Sequence, residues 1–170
     1  AGTGAGTFPD VTAKGGVAGA GELGMACAVA PDLDVIAFRL GIPYQAPLGH
    51  RGASHSLIFA ALLAAVLTPL ARLSSDGIRA SRAWLYLFLA TASHGLLDAL
   101  TNGGLGVGFF WPLDDTRYFL PLRPIEVSPL SVGAFLGTRG LEVLRSELLW
   151  VWLPAAALAT AGLVCGTRRA

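Results

Sequence analysis

Three stretches of this chain stay apolar for about the thickness of a bilayer, and polar or Gly/Pro-rich segments separate them. The first runs from Ser56 to Leu70, extending to about Leu73 (SLIFAALLAAVLTPLARL), with no charge before Arg72 and with Pro69 close to its end. As a helix its 18 residues cover roughly 27 Å, against a hydrocarbon core of about 30 Å. The second runs from Ala83 to Thr101 (AWLYLFLATASHGLLDALT) and carries His94 and Asp98. The third runs from Leu148 to Cys165 (LLWVWLPAAALATAGLVC), with Trp150 and Trp152 as interfacial anchors and Pro154 as an expected kink. A weaker stretch, Val17 to Ala30, is a short or partial span in which Glu22 argues against a lipid-facing helix.

The pattern predicts an all-α, multi-pass transmembrane helical bundle: three firm spans and a weak or degraded N-terminal one. The segment Asn102 to Glu147, rich in Gly, Pro and aromatics, reads as an ordered loop packed on one face. Residues 1–24, of which eight are Gly, read as a tail or a poor first helix, since each Gly lowers helix propensity by about 1 kcal/mol relative to Ala. They lack the basic start and apolar core of a signal peptide. Residues 25–166 form the membrane domain, and 167–170 a basic tail with Arg168 and Arg169.

Composition agrees with the pattern. Charged residues make up 14% of the chain and mean hydropathy is +0.61, whereas a soluble domain carries about 25% charge to cover its surface. Twelve Lys+Arg against eleven Asp+Glu leave a net charge of +1, which excludes a nucleic-acid-binding face; Lys14 is the one lysine. Cys27 and Cys165 sit among apolar or small residues and read as fillers, not as a disulfide or a CxxC pair. The loop from Arg72 to Arg82 holds three Arg in 11 residues, whereas Asn102 to Glu147 holds four in 46. Positive-inside reasoning then puts that loop and the C-terminus in the cytoplasm.

The chemistry gathers on the opposite side. Counting spans places Pro31-Asp32-Leu33-Asp34, His50-Arg51-Gly52-Ala53-Ser54-His55 and His94-Gly95-Leu96-Leu97-Asp98 on one membrane face, the extracytoplasmic one, and these segments contain every His in the chain. His94 and Asp98, at i and i+4, share a helix face. His50 and His55 do not have a same-face helical spacing, but Gly52 permits a bend between them. Imidazole with carboxylate suits a divalent ion, zinc first, manganese or iron after it. The bland alternative is a set of interior ion pairs such as His94–Asp98 or Arg51–Asp98.

The motifs PDLD, HRGASHSL, HGLLDALTNGG and RYFLPLRPIEVSP, over roughly residues 28–165, resemble the bacterial membrane-bound metal-dependent hydrolase family, to which the LexA-regulated inner-membrane hydrolase belongs. The resemblance implies a multi-pass inner-membrane hydrolase with a divalent metal. The chain departs from that family at its start, where residues 1–27 hold no His. On this reading His50, His55, His94 and Asp98 hold the metal with help from Asp34. Asp32 or Asp34 is the general base, and Arg51, Arg117 or Arg123 stabilises a developing anion. Glu126 supports the site or pairs with Arg123. A site at the membrane face would suit a phosphate ester, or an amphipathic substrate such as a phospholipid. A non-catalytic metal-binding membrane protein of structural, sensory or transport type is the rival reading. The Arg72-side halves of the spans lack acidic and His residues, and so offer little for an ion path.

Overall fold

The computed structural model describes residues 16–75, 77–129 and 131–167. Lys14 and the rest of 1–15, Asp76 of the Arg-rich loop, the side chain of Cys165 and residues 168–170 lie outside the described residues. The described residues are helical and contain no strand; two isolated bridges, Thr101 with Ile125 and Val107 with Tyr118, are the sole β-type pairings among them.

Seven α-helices follow in order: α1 Gly16–Val29, α2 Ile36–Arg39, α3 Leu57–Leu73, α4 Ala80–Ala99, α5 Val132–Phe135, α6 Thr138–Glu147 and α7 Leu153–Thr167. Helix α1 thus takes up the weaker stretch Val17 to Ala30 and begins inside residues 1–24, read as a tail or a poor first helix. The antiparallel pair α3 and α4 packs most extensively, and α1 lies along α4 in the same direction. Buried Ala83, Leu87, Thr91, Gly95 and Ala99 recur every fourth residue on α4, and Ala83 and Leu87 pack with Ala64 and Ala71 of α3. Small residues let the helix backbones approach closely, as lipid-embedded helices do. The large apolar residues instead point outward, with Leu62, Val66, Leu73 and Leu89 exposed. Such an inside-out distribution suits a protein solvated by lipid. Gly24 is needed where α1 crosses Tyr86, because a Cβ there would lie 2.0 Å from the phenol oxygen. Cys27 is buried in the α1–α3–α4 core, in keeping with its reading as an apolar filler.

The structure corrects the count of spans. One helix among the described residues is long and apolar enough to cross a membrane by length and composition: the continuous run Thr138–Gly162 through α6 and α7. It starts ten residues before Leu148, because the end of the segment read as loop is already helical. Helix α3 stops at 17 residues, capped by the Ser56 hydroxyl on the Phe59 amide at its start. Helix α4 has 20 residues, but Ser81, Arg82, Ser93, His94 and Asp98 dilute its apolarity. Just before Pro154 the long helix widens into a π turn over Leu148–Trp152, a known accommodation of helix irregularity.

The rest of the loop is ordered as expected and caps the end of the bundle where α1 and α4 finish and α3 begins. Leu57 donates to the Phe109 carbonyl, Gly108 to that of Arg51, and Leu120 to that of Ala99. Val107 and Tyr118 exchange both backbone hydrogen bonds at 2.9 Å.

Candidate metal centre

Three elements meet under that cap. The 3-10 turn Ala30–Val35 leaves α1 carrying Asp32 and Asp34; a second turn, Ala53–His55, delivers His55; and the last turns of α4 present His94 and Asp98. Their donor atoms converge. His55 Nε2 is 3.1 Å from Asp98 Oδ2 and 3.9 Å from Asp32 Oδ1. His94 Nε2 is 3.2 Å from Asp32 Oδ1 and 3.7 Å from Asp98 Oδ2. Four donors on one tetrahedral ion at 2.0–2.1 Å would stand about 3.3 Å apart. His55 is fully buried, His94 and Asp98 nearly so, and Asp32, with its side chain 54% exposed, stands on the open side.

The outer partners decide what these donors can do. His94 Nδ1 lies 2.8 Å from the Ala28 carbonyl, which only accepts, so Nδ1 carries a proton and Nε2 is the nitrogen turned to the centre. Ser54 gives its one proton to Asp34 Oδ2 at 2.5 Å, so at 3.0 Å its oxygen can only accept from His55 Nδ1. His55 Nδ1 therefore carries a proton, and Nε2 is the nitrogen that faces inward. Arg51 Nη2 donates to Asp98 Oδ1 at 2.8 Å and fixes that carboxylate with Oδ2 facing the rings. His55 Nε2, His94 Nε2 and Asp98 Oδ2 are all buried and have no hydrogen-bond partner. Three such atoms facing one another call for a cation among them, a metal ion or a proton on an imidazole.

The structure divides the remaining candidates. His50 and Asp34, read above as ligands, face each other: His50 Nδ1 to Asp34 Oδ1 is 2.6 Å. Asp34 also accepts from the Arg51 amide at 3.0 Å, from Ser54, and lies 3.2 Å from His55 Nδ1, so its oxygens are committed to orienting other groups. Asp32, Asp34 and His50 nonetheless form a second group whose donor atoms could share an ion. Burial opposes the Asp34 charge, but the hydrogen bonds from His50, His55 and Ser54 outweigh it and hold the carboxyl well below the usual range. The neighbouring His94 ring, against burial, likewise lowers Asp32. Burial disfavours a charged His55, yet the adjacent Asp34 and Asp98 carboxylates raise its pKa, so protons compete with any ion at this ring as pH falls.

Arg51 is 95% buried and supports the centre from behind, with Nη1 also donating to Thr101 Oγ1 at 3.0 Å and the Gly103 carbonyl at 3.1 Å. Its φ of 62° is unusual for a residue with a Cβ, a conformation costing about 1–3 kcal/mol that is typical of functional sites. Gly52 follows it, where a Cβ would lie 2.2 Å from the Pro47 carbonyl oxygen.

Arg117 and Arg123 do not reach the centre. Arg117 clamps the segment before it, donating to the carbonyls of His50 at 2.7 Å and of Tyr44 and Ala46 at 3.0 Å each. Arg123 lies over the Phe119 ring, and Glu126 pairs with Arg139 at 2.6 Å instead of with Arg123. Arg117→Met is expected to cost about 2–3 kcal/mol and to speed hydrogen exchange at the Ala46 and Gly49 amides. Unchanged exchange there would remove the clamp from the account.

The sequence reading missed Ser54, Thr101 and the Ala28 carbonyl. Ser54 had a signal in standing next to His55; a backbone carbonyl 66 residues from the ring it orients had none.

The comparisons bear on family and location. The YdjM inner membrane protein model matches residues 1–170. The Inner membrane protein YbcI of Escherichia coli (strain K12) is 41% identical over 133 residues, covering 77% of this chain and 75% of that protein. No solved structure gives a significant match. With a family match over its full length and a relative of that similarity, this chain belongs to the YdjM inner membrane protein family.

Proposed function

We propose that this inner membrane protein is a multi-pass, divalent-metal-dependent hydrolase acting on an ester, in which His55, His94 and Asp98 hold the ion and Asp32 stands on its open side. One observation carries the reading: two imidazole nitrogens and a carboxylate oxygen, buried and without partners, aimed at one point by Ala28, Ser54 and Arg51. Two neutral imidazoles with carboxylates favour zinc, with manganese or iron as the next candidates. An ion held there acidifies a water to a pKa of about 7 and polarises the ester oxygen.

The protein's own groups do the rest. Asp32 is the most exposed of the four and is ionised at neutral pH, so it is placed to take a proton from the attacking water. The water oxygen bonds to the phosphorus or carbonyl carbon, the ester bond breaks, and the proton on Asp32 passes to the leaving oxygen. His50 and Asp34 keep His55 oriented, and Arg51 holds Asp98 in place.

Helices α1, α3, α4 and the α6–α7 helix supply the spans of the multi-pass reading. Helix α3, about 25 Å long, needs a locally thinned bilayer. The Arg-dense 72–82 loop supports a cytoplasmic position for that end and an extracytoplasmic one for the metal centre.

Turnover of a chromogenic phosphodiester by zinc-loaded protein tests the proposal. Asp32→Asn is expected to lower kcat at least 100-fold while most of the bound zinc remains. A loaded protein that turns over no ester would leave the rival reading, a metal-binding protein without catalysis.

A further inference from the structure

A cavity of about 540 Å³ opens beside the metal centre, and its charges are unevenly distributed. Asp32, Arg51 and Asp98 line one end, and the Ile125–Pro129 segment and Glu147 line the other. A divalent ion is offset there by Asp32, Asp98 and the adjacent Asp34, and buried Arg51 stands beside it. The ion and the Arg51 guanidinium are the two cationic groups that an anionic oxygen would meet. Glu126 on the far wall is neutralised by Arg139 and hydrogen-bonded by Asn102 at 2.8 Å. Glu147 is different: half-buried, it has no ion pair or hydrogen bond among the described residues.

The position of Glu147 sharpens the point. It is the last residue of α6, and the exposed Trp150 and Trp152 follow within the same continuous helix. Tryptophans of this kind mark the headgroup layer, so Glu147 and the cavity lie at that depth. A carboxylate with no ion pair at that depth is placed to meet a cationic group.

We propose that this cavity binds a phosphate ester carrying an ammonium group, as in an ethanolamine headgroup, with the phosphate at the ion and Arg51 end and the ammonium on Glu147. The phosphate end rests on the metal-centre reading; the ammonium end rests on Glu147 alone.

The test is calorimetric binding of two soluble diesters to zinc-loaded, detergent-purified protein: glycerophosphoethanolamine, and glycerophosphoglycerol, in which a hydroxyl replaces the ammonium. The ethanolamine ester is expected to bind about tenfold more tightly, and Glu147→Gln to erase that ratio. Equal affinities, a ratio that survives Glu147→Gln, or no binding of either ester would overturn the proposal. The catalytic reading fails separately, if the ester binds with the expected selectivity but is never cleaved. Vesicles of phosphatidylglycerol with and without phosphatidylethanolamine serve as competitors. Displacement of the soluble ester only by the ethanolamine-containing vesicles assigns the site to a lipid headgroup, and equal displacement by both, or none, to a water-soluble ester.

Discussion

Replacing His94 with alanine is expected to strip the protein of its divalent ion, from one equivalent in the detergent-purified wild type to under a tenth by elemental analysis. The same loss is expected for His55→Ala. Each change removes one of two lone pairs aimed at the same point and leaves the other ring facing Asp98 with too few donors. Groups that merely orient metal ligands typically account for 10–100-fold in affinity, so loss of a ligand should exceed that. Stability follows the same linkage: at an ion concentration a thousand times Kd, bound metal contributes about 4 kcal/mol. Chelation should therefore lower the unfolding midpoint of the wild type markedly and that of His94→Ala hardly at all. Both variants keeping a full equivalent, or a wild type indifferent to chelation, would end the metal assignment and leave a bundle with interior ion pairs.

Arg51→Met should be the most destabilising single change at the site, and its cost should depend on metal. The guanidinium is buried, bonded to Asp98, Thr101 and Gly103, and nothing else described satisfies Asp98 Oδ1. Removing one partner of a buried ion pair costs about 3–5 kcal/mol because the other charge is stranded. In the metal-free protein, a drop of roughly 10 °C in the unfolding midpoint corresponds to that range. A bound ion still neutralises Asp98 through Oδ2, so the drop should shrink when the protein is loaded. An equal drop with and without metal would mean that Arg51 acts as a general brace and has no connection to the centre.

Both expectations depend on an arrangement that the chain discloses only in part. Bilayer-length apolar runs, with few charges to cover a surface, led to a helical membrane protein because hydropathy is a local property that a window can read. The i,i+4 pair His94–Asp98 was legible for the same reason: helix geometry alone puts both on one face. Counting segments was enough to bring Asp32, Asp34, His50, His55, His94 and Asp98 to one end of the bundle, where the structure has them. Helix ends were less legible. The run Leu148–Cys165 gave no hint that its helix starts at Thr138, since α6 is polar and is continued by the turns that follow it.

Which of the gathered groups face a common point was a matter for tertiary structure. By itself the sequence determined the class of protein, the approximate positions of its apolar helices, and the set of imidazoles and carboxylates near one end of the bundle. Only the fold set the inner atoms of His55, His94, Asp98 and Asp32 around one point, and paired His50 Nδ1 with Asp34 Oδ1 beside it. A histidine binds through whichever nitrogen its other nitrogen leaves free. That choice was made for His94 by the carbonyl of Ala28 and for His55 by Ser54, through hydrogen bonds whose directions exist only once α1, the two short turns and α4 have packed.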